Sequence, residues 1–255
     1  MKIHLISHTK EPLKSIAAAC LNVGIGKDIR SLDDVPREEA VKVFKDTISS
    51  WLTSPLEFAS FNFFWEDIPL FLRSELERAR VGWSYAERSM RFYRAGKRNP
   101  IDKIDWKYFP SVKTKVQRET FIAECKREME LYEHLRSEGI ETSDCRCVIG
   151  SWYGTALQTS CTYRALRDTM AVRISSQAHS GWRDATSQIK KLVTEVDPVL
   201  GDALVDICQI TGHCVWKSKL DRVCEDCKKR GWGINHVHDF SNGQCTCGLF
   251  KHEVK

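Results

Sequence analysis

A mixed α and β domain, of class α+β, is predicted by three features. A short alternating strand runs straight into a helix at the amino end. A run of β-prone aromatics follows at Phe58, Phe61, Phe63 and Trp65, and a long helical stripe runs from Phe121 to Leu135. In order, Ile3 and Leu5 alternate with polar neighbours, and Pro12 opens a helix carrying Ile16, Ala17, Ala18, Ala19 and Cys20. Gly24 and Gly26 break it. A second helix starts near Pro36, with Val41, Val43, Phe44, Ile48, Trp51 and Leu52 as its apolar stripe. The aromatic run lies between Pro55 and Pro69 and reads as a strand. Pro69 suits the first turn of a helix that is expected to end near Gly82. Residues 99–115 are polar with scattered aromatics and read as a surface excursion. Phe121, Ile122, Cys125, Met129, Tyr132 and Leu135 then recur at helical spacing up to a stop at Gly139. Cys145 and Cys147 flank Arg146 and read as part of a buried strand, and a helix pair is expected between Thr155 and Val196, punctuated by SSQAHSG.

Composition narrows the function classes. With 255 residues, 42% hydrophobic and 29% charged, the chain can bury a full core and suits one large domain plus a small appendage. No run of about 18 apolar residues is present, so a membrane span is not expected. The opening MKIHLISHTKEP has no apolar h-region and reads as a strand rather than a signal peptide. Eleven cysteines without an export signal point to a reducing, cytoplasmic setting, where metal binding or plain burial is favoured over disulfides. A net charge of +5 permits an anionic small-molecule substrate and argues poorly for nucleic acid.

The densest chemistry lies in SPLEFASFNFFWEDIPLFLRSELERARVGWSYAERSMRF, from residue 54: an aromatic strand, a short helix, then Arg, Ser and Glu packed together. Guanidinium groups make bidentate, charge-assisted hydrogen bonds to phosphate and to a carbonyl-rich base edge, each contributing about 1.5–3 kcal/mol. An Arg, Glu and Ser cluster alone is as consistent with a solvated face. Its order, however, resembles the flavin-dependent thymidylate synthases, whose motif reads R-H-R-x-x-S-x-N-E-x-S-x-R. Ser84 to Arg91 fit as S-x-A-E-x-S-x-R. Arg78, Ala79 and Arg80 fit R-H-R when one extra residue is allowed before Ser84, which puts Glu75 where the family has Gln. SPLEFASFNF resembles the family's SPLEH segment, with Phe58 for His. LRSEGIETSDCRCVIG resembles its E-x-A-R-x-x-L-P segment, with Arg146 on the arginine and Gly150 on the proline. TSCTYRALRDTMAVRISSQAHSGWR resembles its T-x-N-x-R segment and the A-Q-W-E-I-R string beyond it. These segments fall in family order across residues 1–208.

The resemblance implies a mixed or antiparallel sheet flanked by helices, a homo-oligomer of tetramer type, and C5 methylation of a pyrimidine deoxynucleotide, dUMP to dTMP. Methylene-tetrahydrofolate would donate the carbon, FAD the hydride and NADPH the reducing power. By the same resemblance Glu75, Arg78, Glu87, Ser89, Arg91, Arg146 and Arg173 would bind substrate, with Arg146 at the phosphate and Arg173 at the pyrimidine edge. Arg78, Arg80, Thr162, Arg164 and Gln177 would face the flavin. Arg173 and Ser89 are the catalytic candidates, with Ser89 acting by hydrogen bonding, since no His and Asp pair follows it at nucleophile spacing. The departures gather on the flavin side: Ala79 replaces the motif's His, Leu52 stands at a flavin-contacting His, Thr162 at the Asn, and Gln177 where His is common. Two other readings arise from them. One is a paralogue adding methyl or hydroxymethyl to dCMP or UMP, and the other is a non-catalytic nucleotide- or nucleic-acid-binding homologue.

Residues 209–255 lie outside the resemblance. Cys224 and Cys227 form C-x-x-C, and Cys245 and Cys247 form C-x-C seventeen residues on, a spacing that suits a structural zinc site in a small C-terminal module. His238 is an alternative ligand. Metal would offset the entropy of ordering so small an extension. The segment's net charge of +3 falls to about +1 with four thiolates on one zinc ion, a weak footprint for nucleic acid.

Overall fold

In chain order, the computed structural model contains strand β1 (Lys2–His8), helices α1 (Pro12–Cys20) and α2 (Arg37–Ser49), strand β2 (Ser60–Pro69), helix α3 (Leu70–Leu76) and strand β3 (Trp83–Glu87). Helices α4 (Lys115–Ser137) and α5 (Thr142–Cys145), strand β4 (Gly154–Thr162), and helices α6 (Tyr163–Arg173), α7 (Ser180–Val196), α8 (Pro198–Asp202) and α9 (Ile207–Thr211) follow. The structure describes residues 1–50, 52–89, 101–102, 104–175 and 177–211. Two units divide it: residues 1–10 with 59–162, and residues 11–58 with the described chain from Tyr163 on.

The first unit is built on a four-stranded sheet in the order β1-β2-β4-β3, with every pairing antiparallel. Period-two alternation decides its faces. Phe61, Phe63 and Trp65 of β2 and Leu157, Thr159 and Cys161 of β4 are buried on one side. Trp65 Nε1 donates to Thr159 Oγ1 at 3.0 Å, so the buried indole leaves no polar atom unpaired. The other side is polar and partly open. Ser160 sits between Asn62 and Ser84 in register, and Gln158 between Phe64 and Ala86.

Several expectations change here. The aromatic strand starts at Ser60, and Phe58 lies exposed in the turn Ser54–Phe58. Pro69 ends β2 and caps α3, instead of sitting in its first turn. That helix stops at Leu76, well before Gly82, because the chain must reverse to lay down β3. The helix expected from Thr155 is strand β4 as far as Thr162, and only then helical. Thr155, Leu157, Thr159 and Cys161 are buried at period two, a pattern muted in the sequence by small and hydroxylated side chains. The Cys145 to Cys147 segment is a helical turn and not a strand: the Asp144 and Cys145 amides donate to Glu141 O, burying Cys145 and exposing Cys147. The 106–109 part of the surface excursion packs, with Tyr108 buried and the Trp106, Phe109 and Phe121 rings in mutual contact. Helix α4 is as expected, with Cys125, Met129 and Tyr132 buried and a capping box from Thr114 and Gln117.

In the second unit α1 packs on α2 through Leu13, Ile16, Ala17, Phe44 and Ile48. The α2 stripe ends at Ile48, since the helix closes at Ser49 and Leu52 is exposed; Trp51 lies outside the described residues. Helix α7 buries Trp182, Ala185, Ile189 and Val193, a three-to-four residue repeat that defines one face. Asp197 caps α8 by accepting from the Val199 and Leu200 amides, and its carboxylate also takes both terminal nitrogens of Arg37. That neighbour raises the Arg37 pKa chiefly through the hydrogen bond. Tyr163 is fully buried and donates to Leu200 O at 2.7 Å.

Candidate active site

On the first unit, β3 carries the second half of the signature and alternation splits it between the sheet's two faces. Ser84 points to the polar face, opposite Ser160, and Thr162 closes β4 with its amide donating to Gly82 O at 3.0 Å. Glu87 falls on the buried-side face, where Arg73 Nη1 of α3 donates to its Oε2. Arg73 also lies 3.8 Å from Glu77, and its own Nε is buried without a hydrogen-bond partner. Arg88 continues the ladder by donating its amide to Ala156 O at 2.9 Å, and Ser89 follows, exposed. Arg91 lies outside the described residues.

The connection between α3 and β3 presents two of the expected arginines. Arg78 and Arg80 are exposed on either side of Ala79. Tyr85 Oη donates to Leu76 O at 2.9 Å and to Ala79 O at 2.5 Å, folding that connection back over the strand. Burial raises the Tyr85 pKa, with Cys161 and Glu77 adding in the same direction, so the phenol stays a neutral donor. Gly82 turns the chain at φ +72°, a region costly for any residue with a Cβ. Glu75 sits half-buried on α3, and Arg146 is exposed at the start of the helical turn Arg146–Val148.

The second unit holds the remaining candidates. Arg164, in the first turn of α6, donates to Glu57 Oε1 at 2.6 Å, and both side chains stay accessible. Arg173 ends α6 with its guanidinium carbon 4.8 Å from the centre of the Trp182 ring, a cation–π contact that fixes its direction. Gln177 is exposed in the α6–α7 turn, where its amide donates to Ser175 Oγ at 3.2 Å. His179 Nδ1 accepts from the Gly181 amide at 3.1 Å and caps α7.

Arg73, Tyr85, Glu57 and Trp182 escaped the sequence reading, though each touches or frames an expected site residue. Trp182 had a signal through its place in the AHSGWR string, Glu57 through the SPLEF segment and Tyr85 through the signature itself, whereas Arg73 had none. Arg73 meets Glu87 fourteen residues on, a distance that only the reversal at Gly82 closes. Arg167 of α6 also went unnoticed: it is buried, and its Nε lacks a hydrogen-bond partner.

Cys224, Cys227, Cys245 and Cys247 lie outside the described residues, as does the whole expected zinc module. Among the described residues no group of three or more His, Cys, Asp or Glu is placed to hold a metal ion. No helix among them is long and apolar enough to cross a membrane.

This sheet, with its split signature strand, defines a class already known. The family model described as thymidylate synthase complementing protein matches residues 4–199. The chain therefore belongs to that family, the flavin-dependent thymidylate synthases. Among solved structures it resembles the UMP/dUMP methylase PolB from Streptomyces cacaoi, bound with 5-Br dUMP, at 20% identity and TM-score 0.64, over 79% of this chain and 93% of that one. It equally resembles the flavin-dependent thymidylate synthase ThyX from Helicobacter pylori, complexed with FAD and dUMP, at 17% identity and TM-score 0.64, over 81% of this chain and 100% of that one. No curated protein matches the sequence.

Proposed function

We propose that this chain methylates C5 of a pyrimidine nucleotide, dUMP in the first instance, with methylene-tetrahydrofolate as carbon donor and NADPH as reductant. The observation that carries this reading is the family match over residues 4–199 together with Glu87 at the end of β3 and Ser89 just beyond it. FAD, when bound, supplies the hydride that completes the methyl group. The residues of the first unit suit it: Arg78 and Arg80 are accessible cations able to meet its phosphates, and the resemblance adds Arg164 to the flavin side.

The chain's own part is binding and charge placement. Arg146 and Arg91 take the nucleotide phosphate, and Arg173, directed by Trp182, donates to the carbonyl edge of the base. A fixed guanidinium there stabilises negative charge developing on the pyrimidine oxygen. Glu75, Glu87 and Ser89 hydrogen-bond the nucleotide, and Thr162 and Gln177 belong to the flavin side. Reconstitution with FAD tests the whole reading: dUMP-dependent oxidation of the reduced flavin is expected, and a colourless protein that never gains FAD would falsify it.

A second reading concerns the acceptor. The resemblance to a UMP/dUMP methylase supports a site open to the ribonucleotide as well. Product masses after incubation with dUMP, UMP and dCMP separate the two, and a hydroxymethyl product would identify a different carbon chemistry. We further propose a cytoplasmic homotetramer whose segment from residue 209 binds one zinc ion through Cys224, Cys227, Cys245 and Cys247. Light scattering checks the tetramer. Equimolar zinc in the purified chain, lost when Cys224 and Cys227 are replaced by serine, checks the metal.

A further inference from the structure

The turn that follows Arg146 is fastened by a carboxylate from a helix. Glu128 of α4 accepts two hydrogen bonds on one oxygen, from the Gly150 amide at 2.9 Å and from the Trp152 indole N–H at 2.5 Å. The fit around Gly150 is close. A Cβ there would lie 2.7 and 2.9 Å from the two Glu128 oxygens and 2.7 Å from Trp152 Cδ1, too near for any larger residue unless the carboxylate is displaced. Proline, which the family pattern has at this position, would also lose the donated amide.

The fastened turn is joined to the nucleotide side at both ends. Upstream, the Ile149 amide donates to Arg146 O at 3.1 Å, closing the helical turn that presents this arginine. Downstream, Ser151 O and Tyr153 O accept from the Phe71 and Leu70 amides at 3.1 and 3.0 Å. Those two amides open α3, and helix N-terminal amides need acceptors from outside the helix. Helix α3 carries Glu75 and points Arg73 at Glu87.

From this geometry we propose that Glu128 is a positioning residue for the nucleotide side of the site. Its carboxylate sets the Gly150–Tyr153 turn and through it both Arg146 and helix α3. The inference rests on the nucleotide-binding reading above. Glu128 itself touches no substrate. It acts as a hydrogen-bond acceptor, so glutamine, whose carbonyl oxygen can accept the same two bonds, replaces it and alanine does not.

The test uses the full-length, FAD-loaded protein with E128A, E128Q, G150A, W152F and the E128A/G150A double variant. Displacing a phosphate-binding arginine by a fraction of an ångström to an ångström weakens binding more than chemistry. The KM for dUMP is therefore expected to rise about ten- to a hundredfold in E128A and G150A, with kcat within about threefold of the parent. The double variant is expected to be no worse than the worse single, because both break one clamp. E128Q is expected to stay close to the parent. W152F, which removes one donor, raises KM about three- to tenfold and serves if E128A fails to fold. Hydrogen exchange across 149–153 is expected to quicken in E128A and G150A and not in E128Q. An active parent whose E128A variant keeps its KM for dUMP despite faster exchange overturns the inference, as does an E128Q variant as defective as E128A. A parent with no dUMP-dependent flavin oxidation refutes the functional reading instead.

Discussion

Arg73 illustrates what one unforeseen side chain adds to a recognised signature. Glu87 ends β3 as a carboxylate already engaged by a guanidinium, so a nucleotide bound there as proposed would meet an oriented, charge-compensated acceptor instead of a bare anion that would repel its phosphate. Removing Arg73 while leaving Glu87 leaves an accessible carboxylate without its cation, a loss in the range of surface ion pairs, about 0–1 kcal/mol. R73M is expected to lose about 0.5–1 kcal/mol of stability and to weaken dUMP binding. The R73M/E87Q double variant should be less destabilised than the sum of the singles. Denaturant midpoints and calorimetric titration with dUMP check this, and strict additivity would deny the coupling. Glu87, Ser89, Arg146, Arg164 and Arg173 stand as candidates because motif spacing marks them. Their pairing with Arg73, Glu57 and Trp182 is not readable from local spacing, since tertiary structure alone brings each partner near.

At the scale of elements, the pattern worked where apolar residues are large and failed where they are small. Helix α4 and strand β2 announce themselves through Met129, Tyr132, Phe61, Phe63 and Trp65. Strand β4 does not, although it is the strand that joins β2 to β3 and so holds the signature in the sheet. Its Ala, Thr, Ser and Cys residues carry little hydropathy contrast, and the following α6 made the whole stretch look helical. Short β3 was hidden by its charged neighbours and depends on the reversal at Gly82 and the Tyr85 latch. Alanine at Gly82 is expected to cost about 1–2 kcal/mol, because the left-handed backbone there strains any Cβ. The chemical denaturation midpoint checks it, and an unchanged midpoint would show that the turn can relax.

For the whole molecule, the α+β class was legible in advance and the resemblance implied a mixed or antiparallel sheet, whereas the assignment of residues to two interleaved units was not legible, because each unit draws on separated stretches of chain. Global stability should carry an alkaline signature. Burial pushes the Cys125 thiol up to about 12, with Glu128 adding to it. Burial raises Cys161 as well, and Cys20 through burial offset by its bond to Thr47. Thiols whose folded pKa lies above the unfolded value favour the folded state fully below about pH 9. That contribution is lost as pH climbs from there through the folded pKa. Unfolding free energy is thus expected to fall from about pH 9 upward, by as much as about 1.4 kcal/mol per pH unit for each thiol. The C125A variant should show a shallower slope in urea titrations at stepped pH. In peptide mapping with iodoacetamide at neutral pH, exposed Cys147 should be alkylated well before buried Cys125 and Cys161.

The Gly82 reversal also sets where the signature can tolerate a change of length. The extra residue that the resemblance to the family motif implies between Arg80 and Ser84 would fall in the connection before β3, where Val81 is almost wholly exposed. Nothing downstream is displaced by it: Trp83 still meets Cys161 and Glu87 still meets Leu157. Inside the strand one added residue would exchange the two faces, sending Glu87 away from Arg73. Deleting Val81 should therefore leave a folded protein that binds dUMP, while inserting one alanine after Tyr85 should abolish binding, with circular dichroism and calorimetry as the measures. The length of the exposed connection at Val81 is free to vary, whereas from Trp83 onward the message is read in a fixed frame.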